Sequence, residues 1–339
     1  MNEDVAEHRI RELPVVVLFP HNRCNCQCVM CDIWKIRTVR EITDRDLEPH
    51  LAGFRSLKVK WVVLSGGEPL MHSDLPALCR MLRGEGVRLT LLTAGLAIER
   101  HASNISDLVD DVIVSIDGPP EIHDGIRAVS GAYRQLVRGL HALRRARPDI
   151  PIHGRCTVQK RNFRELCDTA LSAHALGLDS LSFLAADVAS SAFNRPEGWS
   201  VERQNEITLT ADEVAALDRE IEKLLHDCRH DIESGFIIEG PEKLRRISLH
   251  YRAHLGLTPA SSPRCNAPWV STVIEADGTV RPCFFHQAIG NIHDSPLADI
   301  LNGDEALKFR QRLDVPTNPT CRNCVCSLFI PEPHALEGS

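Results

Sequence analysis

With 339 residues, 43% hydrophobic and 25% charged, the chain can form one large domain plus a small one, and its make-up is that of a soluble globular protein. Its 39 basic and 46 acidic residues leave a net charge of -7, so no basic field points to nucleic acid, and 5% aromatics are too few for stacking platforms along a single strand. Residues 1–13 form a charged lead-in that argues against a signal peptide, no apolar run reaches bilayer length, and the odd count of 13 cysteines fits a reducing cytoplasm.

The first apolar run, 14–19, reads as a buried strand. Cysteines follow at once: Cys24, Cys26, Cys28 and Cys31. The subset Cys24, Cys28 and Cys31 has the form C-x3-C-x2-C, which puts three thiolates on one loop and leaves a fourth position to another ligand. That suits an iron–sulfur cluster with one open iron. Zinc also takes thiolates at such spacings, so the loop alone leaves both metals open.

Further along, short β-rich runs at 60–65, 87–93, 111–116, 152–158 and 180–184 alternate with helical patterns near 43–57, 74–84, 97–108, 132–147 and 162–176. With the first strand this makes six β/α units, an α/β chain with a parallel sheet and right-handed crossovers. Six units fall short of a closed eight-fold barrel, so a partial (β/α)6 barrel is expected, with functional loops at the carboxyl ends of its strands. The second strand ends in Ser65-Gly66-Gly67-Glu68-Pro69, where paired glycines permit close backbone approach to a ligand. The fourth ends in Ser115-Ile116-Asp117-Gly118, a hydroxyl and a carboxylate on one strand face, placed to bind ribose hydroxyls.

From about 186 to 262 the repeat fades. Asp187 to Trp199 reads as a polar loop, a capping box at Thr210 and Glu213 opens a helix, and a charged linker follows. A hairpin (269–275 and 279–283, turning at Asp277-Gly278) brings Cys265 and Cys283 to one end. A helical stretch near 296–313 leads to Cys321, Cys324 and Cys326, a second group in which zinc again fits the bare spacing.

Taken together, the C-x3-C-x2-C loop, Gly66-Gly67-Glu68-Pro69 and Ser115-Ile116-Asp117 resemble the radical S-adenosylmethionine (SAM) superfamily over roughly 14–185. The resemblance implies a partial (β/α)6 barrel whose Cys24, Cys28 and Cys31 hold a [4Fe-4S] cluster. It implies that Gly66, Gly67, Glu68 and Pro69 meet the methionine end of SAM, Ser115 and Asp117 its ribose, Arg127 its carboxylate and Leu184 its adenine. Met30 departs from the aromatic residue usual before the third cysteine, and Cys26 is an extra thiol, read as a passenger. The spacing C-x12-G-x4-C from Cys265 through Gly278 to Cys283, followed by C-x2-C, is similar to the SPASM/twitch extension. That implies an auxiliary [4Fe-4S] cluster on Cys265, Cys283, Cys321 and Cys324, with Cys326 as a possible substitute.

The implied division is a lead-in (1–13), the barrel (14–208), a helical linker region (209–262), a small hairpin/helix cluster-binding extension (263–327) and a tail (328–339). The implied activity is reductive cleavage of SAM to a 5′-deoxyadenosyl radical that abstracts a substrate hydrogen, for a net oxidation of a small molecule. Peptide maturation is the alternative, and a zinc-stabilised binding protein the reading outside enzymology. The implied partners are a small-molecule or peptide substrate and an external one-electron donor such as flavodoxin or ferredoxin; neither nucleic acid nor membrane is expected. Candidate cavity residues are Tyr133, Arg155, Cys156, Asp187, Asn194 and Arg195, with Tyr133, Cys156 and Asp187 as catalytic candidates; Cys79, Cys167 and Cys228 read as structural.

Overall fold

The computed structural model describes residues 8–331; the outer parts of the lead-in (1–7) and of the tail (332–339) lie outside the described residues. Six parallel strands form the frame: β1 (Val15–His21), β2 (Trp61–Gly66), β3 (Arg88–Thr93), β4 (Asp111–Ser115), β5 (Ile152–Val158) and β6 (Ser180–Ala185). They pair in sequence order, and the barrel is partial and not closed. Parallel strands covered on both faces favour continuous aliphatic runs, and Val15, Val16 and Leu18 of β1 are all buried. Val62, Leu64, Leu89, Leu91, Val112 and Val114 continue the same core across the sheet.

The helices cover this sheet by their apolar stripes. Leu75–Gly84 buries Leu75, Leu78, Cys79 and Leu82, and starts where Asp74 accepts from the Ala77 amide. Ala132–Ala146 buries Leu136, Leu140 and Leu143. The expected helix near 43–57 is instead two pieces, Asp44–Leu47 and Leu51–Ser56, joined through a tight turn at Pro49. The expected 296–313 helix likewise splits into Leu297–Asn302 and Asp304–Arg312 at Gly303. Helix Pro120–Arg127, opened by its proline, fills the gap after β4.

The cysteine-bearing extension does not hang from the barrel. Strand β7 (Ser271–Ile274) pairs in parallel with β1, and β8 (Thr279–Arg281) and β9 (Gly290–Asn291) follow antiparallel. Among the described residues the nine strands thus form one sheet, in the order β6-β5-β4-β3-β2-β1-β7-β8-β9. The expected strand start at Trp269 is a helical turn, Ala267–Val270, with Pro268 in its first turn. The linker region holds Ala211–Asp227, capped reciprocally by Thr210 and Glu213, and the unpredicted helix Pro241–His254. Tyr251 of that helix is buried; its hydroxyl donates to the Val158 carbonyl at 2.6 Å and accepts from the Ala186 amide at 3.1 Å. These bonds fix the helix against the ends of β5 and β6.

Candidate active site

The loop after β1 carries the first four cysteines, and all four line a cavity of about 250 Å³ at the carboxyl ends of the strands. Its chain is held from two sides. The Gln27 and Val29 amides donate to the Arg127 and Ile126 carbonyls, both at 3.0 Å, while Asp32 accepts from the Trp199 indole at 2.7 Å and its carbonyl from Asn194 at 3.0 Å. Cys24 accepts from the Cys26 amide, Cys28 from Arg127 Nη1 and Cys31 from the Ile33 amide, each at 3.5 Å. Donors aimed at sulfur favour thiolate. Cys26 instead gives its proton to its neighbours: hydrogen bonds to Cys24 and Cys28 push its thiol far up. That bond, against burial and with the Arg127 charge helping, holds Cys28 down to about 6. So Cys26 is buried inside the loop and stays a thiol beside Cys28, while burial pushes the Cys31 thiol up to about 12.

Gly66 and Gly67 are fixed by the cysteine loop itself. A Cβ on Gly67 would come within 2.1 Å of the Arg23 carbonyl, and Gly66, at φ +101°, packs against Phe19. Both glycines face the cavity, so the close approach they permit is first to the loop. Glu68 lies beneath, fully buried, accepting from the Leu70 amide (3.1 Å), the Thr93 hydroxyl (2.8 Å) and the Ala94 amide (2.8 Å). Burial raises its pKa against those bonds. It straps the exit of β2 to that of β3, and Pro69 starts the turn that follows.

Ser115, Arg127 and Leu184 line the cavity, but Asp117 does not. Asp117 is fully buried, accepting from the Thr157 amide at 3.2 Å and pairing with Arg127 Nη2 at 2.6 Å. Complete burial raises the Asp117 pKa against the pull of Arg127; Arg127, opposed by burial, is carried upward by Asp117 and Cys28. Arg127 therefore stays charged between a carboxylate and a sulfur, and its buried Nε has no acceptor.

The catalytic candidates separate on inspection. Tyr133 packs edge-on to His123 at 5.8 Å and lines neither this cavity nor the larger one beside it. Cys156 is fully buried in the core and lines neither cavity, and burial keeps it a thiol. Asp187 does line the cavity, but its carboxylate is held by Ser190 and, at 2.7 Å, by Arg195. Arg195 lies buried over Trp199 at 4.4 Å, and it and Asn194 clamp their loop instead of lining the cavity. Arg155 faces both this cavity and a larger neighbour of about 620 Å³.

Of the second cysteine group, Cys324 and Cys326 reach these cavities. Cys283 feels the charges of Cys321 and Cys265, and Cys324 those of Cys326, Cys283 and Cys265, so these sulfurs neighbour one another. Cys326 is exposed and lines both cavities, while Cys324 lines only the larger. Sequence reasoning missed His286, buried with Nε2 3.4 Å from Cys321 Sγ, although it stands three residues after Cys283. It missed Phe19, Phe193, Phe284 and Phe285 too, which pack at 5.4 to 6.3 Å to wall the first cavity. They come from three distant segments, and no local signal joins them.

A model of the radical SAM superfamily matches residues 18–173, and one of the iron-sulfur cluster-binding SPASM domain matches 265–325. Residues 18–173 form a radical SAM domain and residues 265–325 a SPASM domain. Fe-coproporphyrin III synthase of Methanosarcina barkeri is 32% identical over 157 residues, 45% of this chain and 39% of that protein. PqqA peptide cyclase of Bradyrhizobium diazoefficiens is 25% identical over 290 residues, 82% of this chain and 68% of that protein. The fold resembles Streptococcus suis SuiB bound to S-adenosylmethionine, with a TM-score of 0.67 at 14% identity over 96% of this chain and 75% of that one. The chain spans less than half the length of the first curated relatives it matches.

A radical SAM protein with a SPASM domain carries a SAM-binding [4Fe-4S] cluster, an auxiliary cluster and SAM itself. The residues present fit that set. Among the described residues no three metal-binding side chains converge at single-ion spacing. Cys24, Cys28 and Cys31 line one cavity with room for a many-atom cluster and Arg127 Nε buried without an acceptor beside it, while Cys265, Cys283, Cys321 and Cys324 neighbour one another as a second thiol set. Among the described residues no helix is long and apolar enough to cross a membrane.

Proposed function

We propose that the chain is a radical SAM oxidoreductase that carries out a net two-electron oxidation of a small molecule held between its two cysteine groups. Cys24, Cys28 and Cys31 would hold the SAM cluster, and Cys265, Cys283, Cys321 and Cys324 the auxiliary one. The cofactors supply one-electron cleavage of SAM and abstraction of one substrate hydrogen atom, forming 5′-deoxyadenosine. The chain does the rest. Arg127, anchored by Asp117, offsets negative charge at Cys28. The four phenylalanines and Leu184 exclude water from the first cavity. The loop 187–199, clasped by the Asp187–Arg195 pair, closes over the cysteine loop.

One observation carries the reading: the two cavities share Arg155, Leu184, Ala185, Val325 and Cys326, so a substrate there lies between both cysteine groups. A substrate there would lie beside Cys326 and near Cys324, whose group would hold an auxiliary cluster able to take up the second electron, with the proton released to solvent from the larger cavity. A second reading, peptide modification, is favoured by the peptide cyclase that aligns with 82% of the chain. Anaerobic reconstitution with dithionite and SAM tests the common ground: 5′-deoxyadenosine should form, and a protein reconstituting with zinc and no iron overturns it. A short co-purifying peptide that speeds this formation decides for the second reading.

A further inference from the structure

The larger cavity has a charge opposite to that of the chain. Arg155, Lys243, Arg246, Arg264 and Arg322 line it against only Glu239 and Glu242, in a protein whose net charge is -7. Glu239 is already used, accepting from the Ser182 hydroxyl and the Phe183 amide, both at 2.8 Å, and lying 3.8 Å from Lys243. The four guanidiniums meet no carboxylate at ion-pair distance among the described residues. Arg246 donates to the Ser261 carbonyl (3.3 Å), Arg322 to the Ala260 carbonyl (2.8 Å), Arg264 lies 3.6 Å over the Phe329 ring, and Arg155 Nε is buried without an acceptor. Cations gathered in a cleft without counter-charges raise the local concentration of anions, and guanidinium forks suit carboxylates. Lys243, Arg246 and His250 recur on one face of helix Pro241–His254, and burial drops the His250 pKa to about 4, so this histidine adds no charge near neutrality.

Apolar surface fills the space between the cations: Phe183, Leu184, Ile247 and Val325. A volume of about 620 Å³ lies within the range of small-ligand pockets. We propose that this cavity binds the substrate through two or more carboxylates carried on an apolar body, with the end near Arg155 and Leu184 presented to the SAM cavity. This rests on the radical SAM reading for what happens to the ligand, but not for whether it binds. The carboxylates can belong to a small polycarboxylic acid or to an acidic peptide, and the test separates these sources.

The probes are naphthalene-2,6-dicarboxylate, naphthalene-2-carboxylate, the neutral dimethyl ester of the diacid, and the peptide Glu-Glu-Leu-Glu-Glu, titrated calorimetrically into the reconstituted holoprotein. The diacid should bind at least about tenfold tighter than the monoacid, and more weakly as salt rises. Lys243→Gln with Arg246→Gln should remove about tenfold or more of that affinity, Arg246→Lys should restore part of it, and Arg138→Gln, far from the cavity, should change nothing. Ester binding equal to diacid binding, or full diacid affinity in the double variant, overturns the proposal. Tighter binding of the peptide than of the diacid assigns the carboxylates to a peptide; the reverse assigns them to a small molecule. Absence of 5′-deoxyadenosine with diacid binding intact would sink the radical reading alone, and loss of selective binding with 5′-deoxyadenosine still formed would sink this proposal alone.

Discussion

The two cysteine groups differ in how the chain holds them. The first lies on a short loop walled by strand ends, with Cys26 and Cys28 buried and each motif thiol given an N–H donor. The second is gathered from places up to 61 residues apart and lies nearer the surface, with Cys326 exposed. On the proposed reading, the first group would need a cradle fixed before the cofactors arrive, whereas the second, as an electron acceptor, would need only proximity. The cost of disturbing them should differ accordingly.

The largest effect is expected at the loop. Cys24→Ala, Cys28→Ala or Cys31→Ala should each abolish 5′-deoxyadenosine formation, with iron dropping from about eight to about four per chain. Cys26→Ala should retain most of the activity, because Cys26 donates where the other three accept. Activity lost with Cys26→Ala and kept with Cys24→Ala would reassign the ligand set.

Next in size is the buried pair behind the loop. Asp117→Asn leaves the Arg127 charge without its counter-ion, at a cost of about 3 to 5 kcal/mol in denaturant unfolding. His123, whose ring accepts from the Asp117 amide at 3.3 Å, adds a pH signature. Burial, with Arg127 assisting, lowers its pKa from 6.5 to about 3. Its contribution to stability is thus complete above pH 6.5 and lost as pH falls towards 3, where the unfolded chain takes up a proton that the folded chain refuses. Asp117, with its pKa raised, acts in the opposite sense as pH climbs above 3.8. The difference between the protein and His123→Gln isolates the histidine: unfolding profiles that run parallel from pH 7 to 4 would refute this account.

Much of this was legible in the order of residues, and the parts that were not share one cause. Thiolate spacing, the Gly66-Gly67-Glu68-Pro69 exit and six aliphatic strand runs are local signals, and the structure places them on one barrel. The Asp117–Arg127 pair joins two residues on separate elements, and each alone had suggested a contact with SAM. Helix Pro241–His254 was hidden by its charged residues, although Leu244, Ile247 and Tyr251 keep helical spacing. Pairing of β7 with β1 spans the length of the chain, and nothing within 271–274 announces its neighbour. Long-range pairing, not chemistry, is what the linear reading lacked.

The smallest expected effects concern the second group and decide how closely it parallels the first. Cys324 is within reach of Cys283 and Cys265, and burial pushes its thiol upward, whereas Cys326 adjoins Cys324 and faces the two cavities. Cys324→Ala should therefore cost about four irons per chain, and Cys326→Ala none. Neither should unfold the barrel, because β7 is held by β1 through four residue pairs independent of any thiol. SAM cleavage without substrate should survive both changes, which separates the auxiliary group from the loop. If Cys326→Ala removes the iron and Cys324→Ala keeps it, the cluster lies at the shared wall of the two cavities. It would then touch the substrate directly, and the second group would match the first in exposing its metal to chemistry.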